Sequence, residues 1–451
     1  MSGATQEAGL PPAARYAEMV SLVADPVLER RVGRPWWIAF LAALAVTLGF
    51  GLCLAWLFVE GIGIYGNNST VVWGFPIANY VWWIGIGNAG TLISALLLLT
   101  RQGWRSSINR FAEAMTLFAA GIAGLFPILH LGRPYLAYWL APYPNTMNLW
   151  PQWRSALVWD FAAIGTYILF SLLFWYLGLI PDLATMRDRA RSRGAKLIYG
   201  VLAFGWRGSA RHWQRHDAVY KAMAALAVPL VVSVHSVVGL DFAASLMPGW
   251  QETIFPPYFV VGALFSGFAM VVTLAVILRW GLGLQAIINE RHFDVMAKII
   301  LAGAIAMGLS YLTEWFMGWY SGEHEERSFL SFQFTGDYAP FYYAMLACNV
   351  LAPQLFWFRA CRQRVLPLLG VCILVNIGMW LERILIIWNT LSHGHLPAMR
   401  RLFHPTFWDW ATLVGSFGLF ALLFLVFVRL LPAVAMHDVN KELRAEKEAA
   451  A

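Results

Sequence analysis

Charge is scarce in this chain. Of 451 residues, 32 are Lys or Arg and 25 are Asp or Glu, 13% in all, against about 25% in a typical soluble domain. With 59% hydrophobic residues, so little charge excludes an ordinary soluble surface and leaves a polytopic membrane protein. Cysteine is scarce too. Cys53, Cys348, Cys361 and Cys372 are widely spaced, and no CxxC occurs. The chain is therefore expected to hold no structural zinc or other metal and no iron–sulfur cluster by itself. A cleavable leader pattern is missing: about 35 polar residues precede the first apolar run, which is long enough to span a bilayer. The net charge of +7 does not point to nucleic acid, because the basic residues gather in loops on one side.

What is present is a series of apolar runs. About ten spans lie near 36–59, 79–100, 111–131, 155–179, 218–245, 257–280, 298–319, 339–358, 365–388 and 406–430. Each has about 20 residues or more, enough at about 1.5 Å per residue to cross a core of about 30 Å. Arg101, Arg105 and Arg110 lie in one loop, eight Arg or Lys between Pro181 and Asp217 in another, and Arg359, Arg362 and Arg364 in a third. The alternate loops are aromatic, rich in Pro and Gly, and poor in Lys and Arg. The basic loops and both termini are thus expected on the cytoplasmic side of a bacterial inner membrane.

The run "NYVWWIGIGNAGTLISALLLL" resembles "PYFVVGALFSGFAMVVTLAVI". Each has an aromatic entry, a stripe of small residues suited to close helix packing, and an aliphatic exit. The spans that follow also match in kind. The expected fold is all-α, with two four-helix bundles related by an axis along the membrane normal and one flanking helix at each end. The divisions are a cytoplasmic tail (1–35), a first flanking helix and outer loop (36–78), bundle 1 (79–245), bundle 2 (246–392), a last flanking helix (393–432) and a cytoplasmic tail (433–451).

Ionisable residues inside spans are expensive and default to functional hypotheses. His130, Asp160, Asp241, Glu314, Glu382 and Arg383 all fall toward the outward ends of their spans. Each alone could be an interfacial or helix-end residue, and Arg133 reads as an interfacial anchor. Placement of six such groups in one slab favours a shared pocket. Glu382 is about 100° round the helix from Arg383, so it is assigned to a lipid-side or inter-bundle position.

A pocket with a cation, carboxylates and an imidazole, walled by Trp and Phe, suits a quinone. Quinol oxidation releases two protons, so each oxygen needs a base, and His and Asp are the natural choices. A haem b would need two facing histidines at matched depth. His235 lies about 9 Å below Asp241 along its helix, deeper than His130, and no second pair exists. Asn88, Thr91, Glu113, His235 and Glu314 are candidates for a proton path, although small polar residues at helix contacts are also packing glue.

Several strings together, among them "INRFAEAMTLFA", "FPILHLGRPYLAYW", "GWRGSARHW", "SVHSVVGLDFA", "IFPPYFVVGALFSGFAMV", "CNVLAPQLFWF" and "NIGMWLERILII", resemble the NrfD/polysulfide-reductase membrane-subunit family. Within it the likeness is greatest to the quinol-oxidising membrane subunit (ActC) of bacterial alternative complex III. The resemblance covers most of the chain from the first span to the ninth. It implies a ten-helix subunit without haem or iron–sulfur clusters and a quinol site (menaquinol or ubiquinol) on the periplasmic side. The site residues it implies are His130, Asp160, Asp241 and Arg383. It further implies a periplasmic iron–sulfur/molybdopterin-like partner, multihaem cytochrome c subunits and a second NrfD-like membrane subunit. The family pattern has His where this chain has Asn88. Asparagine cannot titrate, so a proton path there must run by water. The rival readings are a secondary transporter and an inert anchor for a redox enzyme. Against the transporter, the polar cluster is near the surface rather than at the midplane, and no span is visibly broken by a central Gly/Pro pair.

Overall fold

The computed structural model describes residues 12–29, 32–140 and 152–439. The expected tails therefore lie partly outside the described residues, before Pro12 and after Val439. Among the described residues every regular element is helical, and nine helices are long and apolar enough to cross a membrane. They are α2 (Arg34–Glu60), α3 (Phe75–Leu99), α4 (Asn109–His130), α5 (Ala156–Arg189), α7 (Ala210–Ala243), α8 (Phe255–Leu282), α9 (Glu290–Tyr320), α13 (Val365–Ser392) and α14 (Phe407–Leu430). Shorter helices are α1 (Pro12–Leu28), α6 (Arg193–Leu202), α10 (His324–Thr335), α11 (Ala339–Leu346) and α12 (Arg359–Gln363).

The eighth expected span, 339–358, is present but interrupted. Helix α11 gives way to a π turn at Ala347–Leu351 and then to a tight 3₁₀ stretch at Ala352–Trp357. Pro353 has no amide hydrogen to continue the ladder. The interruption is made without the central Gly/Pro pair that would mark a broken span in the sequence.

Helices α3, α4, α5 and α7 pack in a closed ring, each touching the next. Helices α8, α9, the interrupted segment and α13 close a second ring in the same order. The rings meet along α3–α8, α7–α8 and α3–α13, while α2 and α14 pair with each other and α14 leans on α4. The small-residue stripe allows this closeness. A Cβ on Gly90 would lie 2.0 Å from the Ala112 carbonyl oxygen, and one on Gly267 1.7 Å from the Ala89 Cβ. Helix starts follow ordinary chemistry. Pro35, Pro76, Pro256 and Pro340 occupy first-turn positions, and Asn289 and Thr406 form capping boxes.

The tails are not free polar extensions. Val20, Val23, Ala24 and Val27 of α1 are buried, and Arg429 Nη1 donates to the carbonyls of Pro26 and Val27 at 2.9 and 2.7 Å. After α14, Ala433–Met436 are buried, and Asp438 accepts from Arg105 Nη2 at 2.5 Å and Asn109 Nδ2 at 3.2 Å. Burial raises the Asp438 carboxyl, but the guanidinium groups of Arg105 and Arg110 outweigh it and hold the group below the ordinary carboxylate range.

Candidate functional site

Helix ends away from the basic loops carry the first group. Asp160, on the first turns of α5, is buried and accepts a hydrogen bond from the hydroxyl of Tyr80 on α3. Asp241, near the end of α7, lies within electrostatic reach of both Asp160 and Tyr80. His130 closes α4 at the same end of the molecule. Asp160 Oδ1, Asp241 Oδ1 and His130 Nδ1 are each buried without a hydrogen-bond partner. Three helices thus bring three unsatisfied polar atoms to one end of one ring. Buried polar atoms are seldom left unpaired, so such a set suits a ligand with polar hydrogens. No hydrogen bond joins His130 to either aspartate among the described residues. Next to Asp241 along α7, Phe242 is packed edge-on by Trp73 and Trp250 and stacks on Phe259 with centroids 5.5 Å apart.

Arg383 does not join this group directly. It sits on α13 nine residues before the helix end, about 14 Å along the axis. Asp160 and Asp241 lie only a few residues from theirs. The sequence-based span ended at 388, and four further residues of helix place Arg383 deeper than expected. Its guanidinium covers the Phe259 ring at 4.2 Å and fills the space left by Gly262, where a Cβ would lie 2.9 Å from Nη2. The stacked rings of Phe242 and Phe259 therefore stand between the Asp241 helix and Arg383.

Glu382 is also placed differently from the expectation. It is 2% exposed and faces the interior of the second ring. Its Oε1 lies 2.8 Å from Arg383 Nη1, out of line with the N–H bonds, so the contact is an ion pair rather than a hydrogen bond. Its Oε2 accepts from the Tyr311 hydroxyl, and from Asn349 Nδ2 at 3.3 Å. The 100° offset between neighbours held, but long side chains let both converge. The π turn aims Asn349 inward, and π turns recur at functional sites. Tyr80, Tyr311 and Asn349 were not singled out from the sequence. The aligned aromatic entries Tyr80 and Tyr258 of the repeat were an available signal.

The candidate path residues divide. Glu113, on α4 near the basic end, accepts from Ser94 Oγ at 2.5 Å and Tyr220 OH at 3.0 Å, with Arg110 Nη1 3.6 Å away. Arg110 also pairs with Asp182 at 2.8 Å. One to two turns along α3, Thr91 Oγ1 meets Ser171 Oγ at 3.2 Å, and Asn88 hydrogen-bonds His235 Nδ1. His235 lies within the field of Arg383. These residues form a polar column along α3. A cavity of about 550 Å³, lined by Arg105, Arg110, Asp182, Tyr220 and Asp438 among others, lies at its basic end. Glu314 stands apart from the column, in the second ring. His235 faces Asn88 rather than His130, so the two histidines do not form a facing pair.

Comparison with known proteins agrees with this architecture. The family described as "Polysulphide reductase, NrfD" matches residues 63–392. The chain belongs to the NrfD family. Nine apolar helices among the described residues of an NrfD chain make it a multi-pass integral membrane protein. A relative from Halobacterium salinarum, a putative membrane subunit of dimethyl sulfoxide reductase, is 28% identical over 56% of this NrfD chain. The match spans about half of that relative's length, 54%. A selenate reductase subunit from Mesobacillus selenatarsenatis is 22% identical over 83% of this chain and 88% of its own.

Proposed function

We propose that this NrfD chain is the quinol-oxidising membrane subunit of an electron-transfer complex. The single observation that carries the reading is the set of unsatisfied acceptors, Asp160 Oδ1, Asp241 Oδ1 and His130 Nδ1, at one end of the first ring. A quinol presents two hydroxyl donors on a flat ring, and carboxylate and imidazole acceptors beside aromatic walls complement it. In the reaction a quinol becomes a quinone, two protons pass to bases and two electrons leave. Asp160, oriented by Tyr80, takes the first proton, and Asp241 beside it passes that proton outward. His130 takes the second. Arg383, deeper and behind the Phe242–Phe259 rings, acts on the site through its charge rather than by contact.

The relatives' names support the direction. A reductase consumes electrons, and a membrane subunit draws them from a lipid-soluble carrier, so the carrier is oxidised. The partner is then a subunit of the molybdopterin/iron–sulfur kind, docked on the face away from the basic loops. The alternative-complex-III setting adds multihaem cytochromes and a second NrfD-like subunit. We further read the basic loops and termini as cytoplasmic in a bacterial inner membrane. The column from Glu113 to His235 is read as a proton route, with water carrying the proton past Asn88. The transporter reading gains one observation, the interrupted eighth span, since broken helices recur in transporters. Family membership and the acceptor set near a helix end weigh against it.

The test is Asp160→Asn in the intact complex. Quinol oxidation falls by about 10²-fold or more, while the complex still assembles. Wild-type turnover in an assembled Asp160→Asn complex would remove Asp160 from the reaction.

A further inference from the structure

The second ring holds a feature that the quinol reading does not use. Beneath Gly249, between α8, α9, α10 and α13, lies a cavity of about 20 Å³, room for one water-sized sphere. Its lining includes Glu314, Glu382, Gln333, Asn389 and Thr390. Gln333, Asn389 and Thr390 are 5%, 1% and 0% exposed. Gln333 Oε1, Asn389 Oδ1 and Thr390 Oγ1 are buried with no hydrogen-bond partner. These three residues thus offer the cavity two amide oxygens and one hydroxyl oxygen without partners.

Charge decides among occupants. Glu382 is compensated by Arg383 at 2.8 Å. Glu314 has a hydrogen bond to Gln333, and the charges near it, Glu252, Glu382 and Glu326, are all of its own sign. With Glu314 ionised, the lining carries one negative charge in excess. Buried charge without a partner is expensive. A proton on Glu314 would add one donor and leave most of the oxygens unsatisfied. A cation satisfies them together. Oxygen ligands select a hard ion, the excess of one charge selects a monovalent one, and the volume selects a small one.

We propose that Glu314, Gln333, Asn389 and Thr390, with Glu382 at the rim, form a sodium-ion site that ties α9, α10 and α13 together. The claim does not depend on the quinol site. The purified complex is heated in detergent at fixed ionic strength and pH 8, with NaCl replaced stepwise by KCl or choline chloride. Sodium raises the melting temperature of this protein along a single-site saturation curve, and potassium and choline do not. Glu314→Gln abolishes the rise, and Asn389→Leu weakens the apparent sodium affinity about tenfold or more. Asp188→Asn, an exposed position on the basic-loop side far from the lining, keeps the wild-type response. Retained sodium-23 binding is read in parallel by elemental analysis after desalting, with a single ion per chain expected. A melting temperature indifferent to sodium would overturn the site and leave a proton or water there. A sodium response that survives both Glu314→Gln and Asn389→Leu would also overturn it. If Glu314→Gln fails to fold, Asn389→Leu carries the test.

Discussion

At the scale of single residues, burial separates groups that composition cannot. Asp160, Asp241 and His130 share one end of the molecule and each leaves an atom unsatisfied. Their depth was legible because a membrane helix counts distance in residues. The position of Glu382 is not legible from its own helix, because its partners Tyr311 and Asn349 come from elements far along the chain. A residue outside the spans gives a pH test. Glu252, in the loop between α7 and α8, is pushed up to about 7 by burial and then by Glu326. Its folded value thus exceeds its unfolded one of 4.5. The associated stability is complete at pH below the ordinary glutamate range and is lost as pH rises through about 7. Hydrogen-exchange protection of this loop, taken relative to the intrinsic exchange rate at each pH, should fall across that interval in the wild type, and Glu252→Gln should flatten the profile. An unchanged profile in Glu252→Gln would assign the dependence elsewhere.

At the scale of elements, nine spans and the loop alternation were readable because a bilayer demands long apolar helices with satisfied backbones. The break in the eighth was readable only in outline, from Pro353 within "CNVLAPQLF". Helix α1 reads as a polar tail in composition alone. Met19, Val20, Val23, Ala24 and Val27 in fact recur on one face, which is the amphipathic signature. The docked C-terminal segment left no periodic signal, since its hold is a short apolar run, the His437 ring stacked on Trp213, and Asp438 bound by Arg105 and Asn109. Asp438→Asn should weaken that hold by about 1.5–3 kcal/mol, the worth of hydrogen bonds to a charged group. Limited proteolysis should then cut after α14 faster than in the wild type. Equal cleavage rates would show that Ala433–Met436 hold the segment without Asp438.

At the scale of the whole molecule, two rings of four helices share an interface along α3, α7, α8 and α13. The repeat in the sequence foreshadowed the similarity of the rings. It did not foreshadow their division of labour, because equivalent helices carry different polar residues. The first ring holds the acceptor set and the α3 column. The second holds Arg383, Glu382 and the small oxygen-lined cavity. If the column feeds protons inward, Glu113→Gln should lower the protons moved per electron in vesicles containing the complex. Quinol affinity should stay unchanged. A full proton yield in that variant would exclude Glu113 from the route. The central claim is the location of the quinol. Its most direct measurement is photolabelling of the intact complex with an azidoquinone, followed by peptide mapping. The account predicts label near His130, Asp160 and Asp241, competed away by excess unlabelled quinone and lost in Asp160→Asn. Label confined to the basic-end cavity near Arg105, or to the second ring around Glu382, would contradict it.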